Sequence, residues 1–147
     1  MTKIISGFPG IGKTTFYEEN KSNYNILDSD SSNFKHNFPH DYIHHIQDRI
    51  AEGKWDFILV SSHKEVRDEL QKQNIYYTLV YPNYDLKYEY VRRFIKRGSP
   101  IPFIDKMHDN WKQYLDEIEL ENFPDKIILS DGEFLDDWIP YLWFNKE

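Results

Sequence analysis

Short apolar runs alternate with helix-spaced apolar positions along the chain, and this alternation predicts the order of its elements. Five β-rich runs predict strands at residues 3–6, 24–27, 56–60, 76–81 and 127–129. Apolar residues three or four positions apart predict helices between them, at residues 13–20, 40–52, 64–73, 84–98, 103–118 and 135–142. In the helix that ends at Gly98 we expect one packed face, formed by Tyr84, Tyr88, Val91 and Ile95.

Strands that are separated by helices pair in parallel through right-handed crossovers. We therefore predict a single α/β domain over residues 1–147, a doubly wound five-stranded parallel sheet with helices on both faces. Ligands of such a sheet bind beyond the carboxyl ends of its strands. The candidate chemistry should therefore lie in residues 6–15, 28–37, 61–65, 81–84 and 130–134.

Composition and charge narrow the choice of partners. The formal net charge is −7, so the surface as a whole should repel nucleic acid, although a local basic patch could still bind it. The chain has no cysteine, which suits a reducing compartment. It shows neither a signal peptide nor an apolar run approaching the ~18 residues of a membrane span. We expect a cytoplasmic protein without a membrane partner.

The segment SGFPGIGKTTF, residues 6–16, matches the phosphate-binding loop pattern. Glycines let the backbone turn with positive φ and bring successive N–H groups close to phosphate oxygens. The following helix would direct the positive end of its dipole at the same anion. Lys13 would reach the β and γ phosphates, and the Thr14 hydroxyl would ligate Mg²⁺. We predict a nucleoside triphosphate site formed by Gly7, Pro9, Gly10, Ile11, Gly12, Lys13, Thr14 and Thr15.

Two carboxylates, Asp28 and Asp30, follow the second predicted strand and should lie beside this loop. They could hold Mg²⁺ through water and accept a proton from an attacking hydroxyl. The alternative is a polar Asx turn or the cap of a short helix. We favour the functional interpretation because the pair lies at the ligand-binding edge of the sheet, with Asp28 as the metal-side residue.

Four cations fall within six residues, at Arg92, Arg93, Lys96 and Arg97. Like charges four residues apart are mildly destabilising in a helix. Guanidinium groups that close over a transferring phosphoryl group would give one or two of them a function. The alternative is a solvated helix face whose cations favour the helix C-terminus.

The third predicted strand ends in Ser61-Ser62-His63, where a motor ATPase or GTPase would normally carry a magnesium-organising carboxylate. The chain also lacks a guanine-reading Asn-Lys-x-Asp segment. Both observations favour a small-molecule kinase.

Residues 7–15, the Asp28-Ser29-Asp30 segment and the Arg-rich stretch before a Pro-containing break together resemble the P-loop kinases. The resemblance is greatest to the group of nucleoside monophosphate, shikimate and polynucleotide kinases, including short phage-encoded members. It implies the strand order 2-3-1-4-5, ATP as donor and Mg²⁺ as cofactor. It also implies an acceptor over residues 28–63, a lid around 93–102 and adenine near residues 130–133. The implied catalytic residues are Lys13, Asp30, Arg93 and Arg97.

We therefore expect an ATP-dependent kinase of a nucleotide, with a (deoxy)nucleoside monophosphate as the leading acceptor. One alternative is a kinase of the 5′-hydroxyl of a polynucleotide or of a modified base in DNA, although net acidity argues against a long backbone groove. A second alternative is a regulatory module that binds nucleotide without transferring phosphate. The missing carboxylate after the third strand leaves that alternative open.

Overall fold

Five parallel strands form the centre of the molecule in the order β2-β3-β1-β4-β5. The computed structural model describes the backbone of residues 1–144 and the side chains of residues 1–142, so the last three residues of the predicted domain lie outside the described residues. The strands are β1 (Lys3–Gly7), β2 (Ile26–Asp28), β3 (Phe57–Ser61), β4 (Thr78–Pro82) and β5 (Asp125–Leu129). The predicted α/β class and strand order are confirmed.

Helices surround this sheet. They are α1 (Lys13–Asn20), α2 (His40–Ala51), α3 (Lys64–Lys72), α4 (Lys87–Lys96), α5 (Ile101–Asp109), α6 (Trp111–Glu119) and α7 (Ile139–Phe144). Short 3₁₀ turns cover Ser31–Asn33, Tyr84–Leu86 and Leu135–Trp138. In the described part of the chain, no helix is both long enough and apolar enough to cross a membrane.

The central strands are buried because both faces of the sheet are covered. Residues 57–60 of β3 are fully buried, in keeping with the continuous apolar run that predicted a central strand. Gly7 at the end of β1 lies opposite Ser61 of β3 on one side and opposite Val80 of β4 on the other. The chain therefore leaves β1 at the carboxyl edge of the sheet, between the ends of its two neighbouring strands.

The second strand begins later than the sequence predicted, at Ile26 instead of Tyr24. The Tyr24 amide donates to the Asn20 carbonyl at the end of α1. That bond belongs to the turn that ends the helix, so Tyr24 cannot join the ladder of β2.

The predicted packed face of α4 is wrong. Tyr88 is 65% exposed and Ile95 is 60% exposed, whereas Tyr90 and Phe94 are fully buried. Two apolar faces are compatible with the helical period of this segment. Packing decides between them, because the rings of Tyr90 and Phe94 lie against Gly10.

The helix predicted over residues 103–118 is two helices, α5 and α6. They meet at Asn110, whose side-chain amide donates to the Lys106 carbonyl at 2.9 Å. Asparagine competes with the helical backbone in this way and favours a helix end. Met107 and Trp111 are buried on either side of the break, so the predicted apolar residues still face inward.

A buried ion pair between Arg67 and Glu121 connects α3 to the segment after α6. Arg67 also donates through Nε to the Ser62 carbonyl at 2.9 Å, and Glu121 accepts hydrogen bonds from Gln71 and Tyr77. Only 4% of the Arg67 side chain and 12% of the Glu121 side chain are exposed. The pair fixes α3 beside the end of β3.

Replacing Glu121 by Gln should destabilise the protein strongly, because it leaves the Arg67 charge buried without its counter-charge. Loss of one partner from a buried pair costs about 3–5 kcal/mol of unfolding free energy. Urea denaturation would measure the loss. The control is Lys112→Ala, which removes an exposed pair with Asp116 and should leave the unfolding free energy unchanged. Equal stability of the two variants would contradict this account of the fold.

Candidate functional site

The glycine loop, residues 7–14, passes from β1 into α1 through a turn that requires glycine. Gly10 has a φ of 89° and Gly12 a φ of 92°, values that L side chains rarely adopt. A Cβ atom on Gly12 would also lie 3.0 Å from the Phe134 ring. The conformation predicted from the glycine pattern is therefore present.

This turn leaves a row of backbone amides without acceptors. No described residue accepts a hydrogen bond from the amides of Gly10, Gly12, Lys13, Thr14 or Thr15. The first helical hydrogen bond at this end runs from the Phe16 amide to the Gly12 carbonyl, at 2.9 Å. Unsatisfied amides at a helix start carry partial positive charge, so this arrangement can hold an anion.

Lys13 adds a full positive charge to the same place. Burial lowers the pKa of its ammonium group, while the carboxylates of Asp28 and Asp30 raise it and the Arg97 guanidinium lowers it further. Lys13 forms no ion pair with a described carboxylate. Its charge is therefore available to a ligand of the loop.

The two predicted carboxylates occupy different environments. Burial raises the pKa of Asp28, and the nearby Lys13 ammonium opposes that shift. The Asp30 carboxylate accepts a hydrogen bond from the Ser32 amide at 2.9 Å, and this bond lowers the pKa of Asp30. Asp30 thus caps the 3₁₀ turn after β2, as the alternative interpretation of the sequence had it, and it also lines the cavity described below.

Arg93 is held in place by several partners. Its guanidinium donates to the Gly10 carbonyl at 2.8 Å, to the Glu133 carbonyl at 2.9 Å and to the Glu89 carboxylate at 2.6 Å. It also stacks on the Phe134 ring, with Cζ 3.8 Å from the ring centroid. Arg93 therefore connects α4 to the glycine loop and to the loop after β5. With this many partners, its guanidinium is suited to holding the glycine loop in place and not to closing over a ligand.

Arg97 is less restrained. Its Nε donates to the Ser99 hydroxyl at 2.8 Å, and its guanidinium forms no ion pair with a described residue. Burial lowers the pKa of Arg97. Of the two arginines predicted to act on phosphate, only Arg97 lacks a carboxylate partner among the described residues.

A cavity of about 1030 Å³ opens over the glycine loop. Its lining comes from the glycine loop, from Asp30 and from residues of α3, α4, α5 and α6. Predicted residues that line the cavity are Gly7, Pro9, Gly10, Gly12, Lys13, Thr14, Thr15, Asp30, Arg93 and Arg97. The structure thus brings most of the predicted site together.

Some expected residues lie outside the cavity wall. The buried Ile11 donates to the Phe8 carbonyl and accepts from the Leu135 amide, so it supports the loop from behind. Asp28 also lies outside the wall, although its charge acts on Lys13. Residues 130–133 do not line the cavity, whereas the next residue, Phe134, does.

Residues 61–65, which the sequence predicted at this edge of the sheet, line the cavity. Sequence reasoning missed the contribution of α5 and α6, whose lining residues are Phe103, Lys106, Met107, Tyr114, Glu117 and Ile118. The helical spacing of Phe103, Met107, Tyr114 and Ile118 predicted an inward face, and that face borders both the core and the cavity. Lys64, at the start of α3, is an exposed residue that pairs with Asp68 and also lines the cavity.

No protein-family model matches the chain, and neither does any curated protein. Among the described residues, no three or more His, Asp or Glu side chains are grouped in a way that could hold a metal ion. The site must therefore be interpreted from its own geometry.

Replacing Arg93 should destabilise the protein, whereas replacing Arg97 should not. Arg93→Ala leaves the Gly10 and Glu133 carbonyls without a donor and the Glu89 carboxylate without its counter-charge, and we expect a loss of about 2 kcal/mol or more of unfolding free energy. Arg97→Ala should change it by less than about 0.5 kcal/mol. Urea denaturation of both variants checks the difference, and a larger loss for Arg97→Ala would show that the two roles are reversed.

Proposed function

We propose that the protein is an ATP-dependent kinase that transfers the γ-phosphate to a nucleotide, with a nucleoside monophosphate as the leading acceptor. The observation that carries the proposal is the set of free amides of Gly10, Gly12, Lys13, Thr14 and Thr15 at the start of α1, beside the unpaired charge of Lys13. Free amides, a helix start and a lysine are together the donor set that polyphosphates bind.

Different residues of the cavity have different roles in phosphoryl transfer. The loop amides and Lys13 hold the triphosphate, and Arg97 supplies positive charge where negative charge builds up. An oxygen of the acceptor attacks the γ-phosphorus, and the bond from that phosphorus to the bridging oxygen breaks. The electron pair leaves with ADP. Any proton on the attacking oxygen passes to the Asp30 carboxylate.

Mg²⁺ suits the oxygen donors at this site. Thr14 offers a hydroxyl and Asp28 a carboxylate, and both adjoin Lys13. Mg²⁺ is usually held by one or two carboxylates together with substrate phosphates rather than by a complete protein cage. When bound, it would neutralise phosphate charge.

A nucleotide-binding regulatory module is the second candidate, and two observations favour it. The Asp30 carboxylate is already bonded to the Ser32 amide, and Ser61 stands where a carboxylate would be expected at the end of β3. Such a module would bind ATP tightly without transferring phosphate to any acceptor. A polynucleotide kinase has less support, because the unpaired cations at the site line a single cavity and the chain as a whole is acidic.

Lys13→Ala should abolish phosphate transfer and leave the fold intact, because the ammonium group serves the phosphates and not the core. The assay uses labelled ATP, Mg²⁺ and a panel of nucleotides, oligonucleotides and small hydroxylated metabolites. Lys21→Ala is the matched control, since Lys21 lies at the other end of α1 in an exposed pair with Glu18. Transfer by Lys13→Ala at the wild-type rate would disprove the phosphate-loop function.

Asp30→Asn tests whether the protein is a kinase or only a binder. It keeps the size of the side chain and removes its charge, so turnover with a hydroxyl acceptor should fall on the order of 10²-fold or more, the scale of a positioned proton acceptor, and turnover with an ionised phosphate acceptor should fall less. ATP affinity, measured by calorimetry, should change little. Because the pKa of Asp30 is lowered, the carboxylate is ionised at neutral pH and should stay active to lower pH than an ordinary aspartate. If the wild type binds ATP tightly but phosphorylates nothing in the panel, the regulatory module is the correct function.

A further inference from the structure

The cavity has a second wall that the triphosphate site does not explain. Phe103, Lys106 and Met107 of α5 and Tyr114, Glu117 and Ile118 of α6 form this surface, which we call the helical wall. Ligand sites usually measure about 300–1,000 Å³. At about 1030 Å³, this cavity is slightly larger than that range and has room for a second molecule beside the triphosphate.

The charges of the cavity indicate that this second molecule is an anion. Lys96, Arg97 and Lys106 line the cavity, and none of them forms an ion pair with a described residue. All three are exposed residues, so a ligand that enters the cavity can reach their charges. Burial lowers the pKa of His63, and the charges of Lys106 at the helical wall and of Lys13 in the glycine loop lower it further. Positive charge thus extends from the glycine loop across to α5.

The uncharged part of the helical wall is suited to a planar ring. Phe103 and Tyr114 are half-buried aromatic side chains, and the buried side chains of Met107 and Ile118 lie beside them. Glu117 accepts no hydrogen bond from a described residue, so its carboxylate can accept one from an N–H group of a ligand. A ring with N–H donors and an attached phosphate is the chemistry of a nucleotide.

The region that the resemblance implied for the acceptor offers a poorer place. A smaller cavity of about 390 Å³ lies there, lined by Asp30, Ser31, Ser32, Phe34, Lys35, Phe38 and His63. Lys35 is its only cation among the described residues, and the Asp30 carboxylate faces the same space. A phosphate would meet one cation there, whereas Lys96 and Lys106 line the larger cavity in addition to the cations assigned to the triphosphate.

We propose that the helical wall is the acceptor subsite, where a mononucleotide binds with its own phosphate at Lys106 and its base between Phe103 and Tyr114, read by Glu117. The inference rests on the proposed kinase function and places the acceptor away from residues 28–63. Lys106 and Glu117 are then specificity-determining residues.

Calorimetry tests the subsite without catalysis. Nucleoside monophosphates are titrated into the protein saturated with Mg²⁺ and a non-hydrolysable ATP analogue. For the monophosphate that binds best, Lys106→Gln should raise the Kd about tenfold to a hundredfold, the range for loss of a charged hydrogen bond. Its effect on the Kd of the ATP analogue should stay within about twofold. Glu117→Gln should change the ratio of Kd values between monophosphates with different bases by about tenfold.

Two variants serve as controls. Lys112→Gln removes an exposed lysine of α6 that does not line the cavity, and it should leave the Kd unchanged. Lys35→Gln removes the cation of the smaller cavity and should also leave the Kd unchanged. Circular dichroism confirms that each variant is folded, and Lys106→Met provides a second substitution at the key position.

The outcomes separate this inference from the proposed function. If the ATP analogue does not bind, the kinase proposal fails and the subsite fails with it. If the analogue binds but Lys35→Gln weakens the monophosphate while Lys106→Gln does not, the acceptor lies over residues 28–63 and the inference is overturned. It is also overturned if the nucleoside without phosphate binds as tightly as its monophosphate. Binding of 5′-hydroxyl oligonucleotides but of no monophosphate would likewise overturn it.

Discussion

The guanidinium of Arg93 holds the glycine loop against α4 and the loop after β5, through the carbonyls of Gly10 and Glu133. The loop needs such support because the amides of Gly10, Gly12, Lys13 and Thr14 have no acceptor among the described residues. The Leu135 amide provides a second tie, to the Ile11 carbonyl, and the Phe8 amide donates to the Val80 carbonyl. These restraints hold the loop and leave the other amides free for an anion.

The cations around the cavity divide into two groups with different physical roles. Arg67 and Arg93 are paired with carboxylates and hydrogen-bonded to backbone carbonyls, so they stabilise the walls. Lys13, Arg97 and Lys106 lack such pairs. The Arg97 charge acts on Lys13, and the charges of Lys106 and Lys13 act on His63. Like charges that share a cavity repel one another, so an anion that binds among them should be stabilised.

Local patterns predicted the fold well, whereas tertiary packing decided what they missed. The glycine turn followed from residues 7–14, because it depends on local backbone conformation. The strand order followed instead from the resemblance to the P-loop kinases. The helical period of α4 could not identify its packed face, because the face that contains Tyr88 and the face that contains Tyr90 are both apolar. The helical wall was hidden for a related reason. Residues such as Met107 look like core residues, and only the placement of α5 and α6 shows that the same face borders a cavity.

The hydrogen bond from the Ser32 amide to Asp30 bears on the chemistry as well as on the fold. It lowers the pKa of Asp30, which makes the carboxylate a weaker proton acceptor. A sugar hydroxyl must lose a proton during attack and would benefit from a stronger base. A phosphate monoester has its second pKa near ~6 and is mostly ionised at neutral pH, so its oxygen can attack with little help. The hydrogen bond from Ser32 makes Asp30 a weak base, which favours an acceptor whose oxygen is already ionised. The unpaired charge of Lys106 also favours an acceptor that carries a phosphate.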